Sequence, residues 1–232
     1  MAVKPQLACF ERLGAPGWEA LAATVAAAQE AGLLVIADGK RGDVPVSAKA
    51  YGQALVGLTP TPFGDVEGLG ADAFTANPLL GGDALDPLVD AAEAAGAGVF
   101  ALVRTSNAGA ADVLDLPAPD APLHERLAAL VAERAGRLAG TEDGEGLSGM
   151  GAVTGATEPG FLARLRELMP AAVFLLPGVG AQGGDPGALG AAFSGHPASA
   201  IVTASRSIAG ADDPVGAAES LRDTVASVAP SG

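Results

Sequence analysis

The chain has 232 residues, 49% of them hydrophobic and only 17% charged, which is enough apolar length for one sizeable core and argues against disorder. A formal net charge of −14 with no Lys/Arg cluster repels a phosphate backbone and an anionic bilayer, so neither nucleic acid nor membrane is expected as a partner. One cysteine, Cys9, and two histidines, His124 and His196, supply neither a disulfide framework nor a Cys/His metal cluster, and a reducing, cytoplasmic compartment fits.

Short apolar runs occupy residues 3–9, 33–37, 73–76, 98–103, 151–154, 173–176 and 200–204. Each leads through a polar or Gly-containing turn into an alanine-rich stretch of helical character, at 16–31, 46–56, 84–95, 122–139, 158–168, 186–192 and 214–228. In the first helix Leu21, Val25 and Ala28 fall on one face, and Pro159, Pro186 and Pro214 stand near helix starts, where a missing N–H is tolerated. Residues 116–122 and 141–149 read as loops, and no linker interrupts a single domain over 1–232. Glu11 and Arg12 rule out a signal peptide, and the uncharged stretch 186–205 carries too much Pro, Gly and Ser to span a bilayer. Cys9 reads as a small core residue, and both histidines read as surface residues.

Alternating βα units leave two architectures, a doubly wound parallel sheet or a (β/α)8 TIM barrel. Seven strands are one short of eight, and the first begins at residue 3. Either the sheet is open or a barrel lacks its N-terminal first strand, roughly 40 residues against an ordinary barrel of about 250.

In both architectures chemistry gathers at the carboxyl ends of the strands. The second run leads into Asp38-Gly39-Lys40-Arg41-Gly42-Asp43, four charges in six residues. Asp38 and Lys40, two apart on an extended strand end, point the same way. A solvated charged turn is the plain reading. Against it, ten of the thirteen basic residues are Arg and only Lys4, Lys40 and Lys49 are Lys. An ammonium can deliver a proton near neutral pH, whereas a guanidinium cannot.

The sixth run ends in Pro177-Gly178-Val179-Gly180-Ala181-Gln182-Gly183. As a dinucleotide fingerprint it lies too late in the chain and lacks an acid about 20 residues on. As a barrel's phosphate loop it fits better, with Gln182 and Arg206 gripping the oxyanion; a glycine-rich surface turn is the alternative. Ser106 and Asn107, after the fourth run, suit an amide or nucleobase edge or else a simple turn.

Together these motifs resemble orotidine 5′-phosphate decarboxylase, in its long bacterial (actinobacterial/mycobacterial-type) subfamily. The matching pieces are Val3-Lys4-Pro5-Gln6, Ala37 through Asp43, Thr105-Ser106-Asn107, Gly151-Ala152-Val153-Thr154-Gly155-Ala156-Thr157, Pro177 through Gly183, and Ser205-Arg206. They run in family order across nearly the whole chain.

The resemblance implies a dimeric (β/α)8 barrel that converts orotidine 5′-phosphate to UMP in pyrimidine biosynthesis with no cofactor and no metal. By position, Lys40 would protonate C6, Asp38 would lie beside the departing CO2, and Lys4 would support the charges and contact the ribose. Asp43 would reach the partner subunit's site in a homodimer, with Ser47 beside it. Ser106 would contact the pyrimidine, and Pro177, Gln182 and Arg206 would form the phosphate grip. Cofactor-free decarboxylation leaves an electron pair on a vinylic carbon, so catalysis has to come from preorganised charge.

The chain departs from the family pattern in lacking the G-x-D-P strand, with its ribose-binding aspartate, upstream of Lys4-Pro5-Gln6. Gly39 stands where Ala is usual, and Val44-Pro45-Val46-Ser47 where Ile-Gly-Ser-Thr is usual. An inactive or truncated remnant, or a sugar-phosphate lyase of the same superfamily, are the competing readings.

Overall fold

An apolar run covered on both faces is stable only as an interior strand, and alanine-rich stretches between such runs supply the cover. In the computed structural model, which describes residues 1–140, 146–180, 182–193 and 195–230, the chain forms two compact units, Met1–Ala101 and Leu102–Gly232.

The first unit begins with β1 (Ala2–Val3), α1 (Leu7–Glu11), α2 (Ala15–Glu30), β2 (Leu34–Arg41) and α3 (Pro45–Leu55). It continues with β3 (Leu58–Thr61), β4 (Gly64–Glu67), β5 (Ala73–Ala76), α4 (Gly82–Ala95) and the first part of β6 (Gly98–Arg104). β1, β2, β5 and β6 are parallel neighbours in that order. Val35, Ile36, Ala37 and Phe74 on the strands, Leu21 and Val25 of α2, and Leu85, Leu88 and Val89 of α4 are all buried and make up this unit's core.

The second unit contains α5 (Ala110–Val113), α6 (Leu123–Arg134), β7 (Ser148–Thr154), α7 (Leu162–Leu168), β8 (Ala172–Leu176), β9 (Ala200–Val202), α8 (Arg206–Ala209) and α9 (Pro214–Val228). β7, β8 and β9 are again parallel. No helix among the described residues is long and apolar enough to cross a membrane.

Every run predicted from sequence contains or touches a strand, but several expectations need correction. The run at 3–9 is a two-residue strand followed by a helical turn, because Leu7 turns inward while Ala8 and Cys9 face outward. Cys9 is therefore exposed and not a core residue. His124 is buried, because α6 places it with Leu127, Ala128 and Val131 on one face at helical spacing. Residues 186–192 form two short 3-10 turns, not a helix. Of the loop expected at 141–149, residues 141–145 lie outside the described residues, and Ser148 already belongs to β7. The antiparallel β3–β4 hairpin, with Phe63 exposed at its turn, has no counterpart in the sequence reading.

Arg166 of α7 fixes the second unit's interior. Its guanidinium donates to the carbonyls of Met169 (3.0 Å), Pro170 (3.4 Å), Ala172 (2.7 Å), Ala192 (2.5 and 3.0 Å) and Ser199 (3.0 Å), and it lies 3.7 Å from the centre of the Phe174 ring. Among the described residues no carboxylate pairs with it, and burial pushes its pKa down to about 10. Five carbonyls, from the turn after α7, from β8 and from the turns before β9, share one cation. Arg166→Met, which fits the space but strands those carbonyls, should destabilise the protein by about 3 kcal/mol, read from denaturant midpoints, with Lys restoring only part of the loss.

Candidate active site

Within the first unit, the site is built on an irregularity between two strands. Ala37 of β2 pairs with Phe74 of β5, and Arg41 with Ala76, so four residues of β2 span a step that takes two on β5. Asp38-Gly39-Lys40 thus stand opposite the single residue Thr75, a bulge with two surplus residues at the carboxyl end of the strand. Lys40 is the one non-glycine residue with positive φ among the described residues, at 49°. Its N–H finds no strand carbonyl and donates to Thr75 Oγ1 at 2.8 Å.

The bulge turns Asp38 into a nearly enclosed carboxylate whose side chain is 6% exposed. Lys4 Nζ donates to its Oδ2, while Lys40 Nζ (2.6 Å) and the Thr75 hydroxyl (2.9 Å) donate to its Oδ1. Lys4 reaches it because the segment after β1 runs alongside: Asp38 N–H donates to Pro5 O at 3.0 Å and Gln6 bridges to Asp38. Burial pushes the Asp38 carboxyl up, but the charge and hydrogen bond of Lys4, reinforced by Lys40, outweigh it and hold the group below its ordinary range. The result is an ionised carboxylate between two ammonium groups, of which Lys40 is the more exposed at 43% against 24% for Lys4.

The flanking residues stiffen this array. Arg41 pairs with Glu11 and lies 5.4 Å from the centre of the Tyr51 ring. A Cβ at Gly42 would come within 2.4 Å of Asn77 O, and one at Gly39 within 2.8 Å of Leu7 Cδ2, so Gly39 suits this neighbourhood better than Ala would. Asp43 Oδ1 accepts from Val44 N–H at 2.7 Å, and Pro45 opens α3, where its ring fits the first turn. Ser47 is half-buried on α3. The exposed third lysine, Lys49, lies on the same helix, away from the array.

The second unit holds the polar and glycine-rich part. Ser106 Oγ donates to Gln182 Oε1 at 2.8 Å, joining two motifs separated by 76 positions. Close approach requires glycine: a Cβ at Gly155 would lie 2.7 Å from Ser106 N, and one at Gly178 would lie 2.9 Å from Ser106 Cβ. Thr157 Oγ1 donates to Ser106 O at 3.0 Å, and Ala156 N–H to Pro177 O at 2.8 Å. Behind Ser106, Arg104 grips Asp115 with two hydrogen bonds of 2.8 and 2.9 Å and donates to Thr105 O. That grip holds the Asp115 carboxyl below its usual range.

The loop after β8 closes on itself through Gly184 N–H to Gly178 O at 2.9 Å and Gly183 N–H to Gly180 O at 2.8 Å; Ala181 lies outside the described residues. Gly178, Gly180 and Gly183 all have positive φ. Gly180 packs against Ser207, which sets the start of α8 beside the loop, and Arg206 there is exposed with no partner among the described residues. A cavity of about 240 Å³ borders the loop, but Val179, Ile208 and Leu221 make it mostly apolar, so the charged groups do not gather in it.

Lys4, Asp38 and Lys40 are thus assembled, as are Ser106, Pro177 and Gln182. Thr157 enters the sequence analysis only as the end of the matching stretch from Gly151, without a role, and Thr75 does not enter it; a lone Thr inside the apolar run 73–76 is the available signal.

Parallel βα units with an ammonium–carboxylate–ammonium array at a strand end place fixed charge where such architectures carry their chemistry. Residues 1–221 match the Orotidine 5'-phosphate decarboxylase / HUMPS family, and the chain belongs to that family. It is 45% identical over 206 residues to the orotidine 5'-phosphate decarboxylase of Deinococcus radiodurans, covering 89% of this chain and 70% of that protein. To the Rhodopirellula baltica enzyme of the same name it is 42% identical over 207 residues, covering 89% of this chain and 66% of that one. The chain therefore spans about two thirds of the length of these curated relatives. The solved structure of Leishmania donovani OMP decarboxylase is 33% identical with a TM-score of 0.76, over 98% of this chain and 80% of that one.

Two outcomes follow. The depressed pKa of Asp38 contributes stability that is full above the unfolded carboxyl's range near pH 4 and is lost as pH falls through the lower folded value. The stability difference between wild type and Asp38→Asn should therefore be flat from pH 7 to about 5 and change only in acid, as read by urea titrations at each pH. Gly178→Ala, forced into φ 108° against Ser106, should cost on the order of 2 kcal/mol in the same assay, and Gly160→Ala, which meets open space, much less.

Proposed function

We propose that the protein decarboxylates orotidine 5′-phosphate to UMP without a cofactor, as its relatives' names imply for them. The observation that carries this is the enclosed, ionised Asp38 with Lys4 on one oxygen and Lys40 on the other. In the reaction the bond from C6 to the carboxylate carbon breaks, CO2 departs, and the electron pair stays on C6. Lys40 Nζ stabilises that pair and then gives it a proton, forming the C6–H bond, and the neutral amine regains a proton from solvent. Asp38 lies beside the leaving carboxylate and Lys4 holds its other oxygen, so the two ammonium groups and one carboxylate carry one net positive charge, which Asp43 from the second subunit balances. Ser106 contacts the pyrimidine, and Pro177, Gln182 and Arg206 take the phosphate, whose binding energy orders the site.

The wider reading follows. The succession of βα units supports a single (β/α)8 barrel, and the matching motifs support the long bacterial subfamily. The protein works as a cytoplasmic homodimer in which Asp43 and Ser47 serve the partner's site; exposed apolar Val44 and Val46 beside Asp43 support that use.

The test is loss of the orotate-ring absorbance when purified protein meets orotidine 5′-phosphate. Lys40→Ala should lower turnover by about 10³-fold. Lys40→Arg, which keeps the charge without a deliverable proton, should fail as well. Undiminished turnover in Lys40→Arg would remove the lysine from the proton-donor role.

A further inference from the structure

Thr75 is 1% exposed and lies on β5 opposite the β2 bulge, between the two residues, Phe74 and Ala76, that pair on either side of it. A regular parallel ladder would give the Lys40 N–H a carbonyl; the bulge removes that acceptor, and Thr75 Oγ1 replaces it at 2.8 Å. The same oxygen donates its own proton to Asp38 Oδ1 at 2.9 Å, the oxygen that also receives Lys40 Nζ at 2.6 Å. One hydroxyl therefore fixes both ends of the Lys40 placement, the left-handed main chain (φ 49°) and the carboxylate on which its ammonium rests.

We infer that Thr75 is the positioning residue for Lys40: it holds the bulge in the one conformation that carries the ammonium to the Asp38 oxygen. Its β-branched shape packs into the strand while its hydroxyl leaves no choice of direction, since its single proton goes to Asp38 and its lone pair receives the Lys40 N–H. The inference rests on the reading of Lys40 as proton donor, but the placement itself can be measured without turnover.

In Thr75→Val, which keeps the volume and removes both hydrogen bonds, kcat for orotidine 5′-phosphate should fall about 10- to 100-fold while KM stays within about threefold, and Thr75→Ser should restore kcat to within about threefold. The chain has only three lysines, so ε-13C-lysine labelling resolves each one. The Lys40 signal should move in Thr75→Val, exchange at the Lys40 amide should accelerate, and the Lys49 signal should stay as internal control. If the valine variant does not fold, Thr75→Cys, a weaker donor of similar size, should fall clearly below Ser in kcat. Unchanged Lys40 signal and amide exchange in the valine variant, an effect on KM alone, or equal activity of Ser and Cys would overturn the assignment. If wild type does not consume orotidine 5′-phosphate, the proposed reaction fails, while the labelling and exchange measurements still decide whether Thr75 sets Lys40.

Discussion

Burying a carboxylate is costly unless cations and hydrogen bonds replace the water it loses, and Asp38 meets that requirement with groups drawn from three separate places in the chain. Lys4 arrives from the segment after β1, Lys40 from the same strand two residues on, and Thr75 from the neighbouring strand. Satisfying one anion thereby dictates the register of β1 on β2, the bulge in β2 and the polarity of β5. A parallel sheet alone would tolerate other registers; this charge does not.

The second unit solves a different problem, that of bringing uncharged polar groups close together without bulk. Gly155 and Gly178 allow Ser106 to approach Gln182, and positive φ at Gly178, Gly180 and Gly183 lets the loop fold back on itself. The anchoring comes from below, where Arg104 and Asp115 clamp the strand end and Arg166 gathers carbonyls from successive turns. The fixed points of this unit are therefore its two buried arginines.

The strand-and-helix succession was legible because both are repeated signals, and the run at 73–76 and the helix at 214–228 fall where periodicity puts them. Asp38 and Lys40 were legible as a pair, though by the wrong geometry: the sequence suggests an extended strand end, whereas a bulge with left-handed Lys40 brings them together. Bulges leave no periodic trace, so the run 73–76 does not disclose that Thr75 stands opposite one. Burial of His124 depends on which face of α6 packs, and its spacing from Leu127, Ala128 and Val131 marks that face. The exposure of Cys9 follows from a helical turn where apolar residues suggested a strand.

The two-residue length of β1 has its own consequence. Among the described residues its only strand partner is β2, through Ala2 and Val3, and the segment beyond is held by the hydrogen bond to Pro5 O, the bridge at Gln6, the Lys4–Asp38 pair and the fully buried Leu7. So short a strand contributes little ladder of its own, and the segment is seated chiefly by Leu7, three residues beyond Lys4. What buries that leucine also sets the ammonium on Asp38, so packing in the core and charge at the site are one and the same fit.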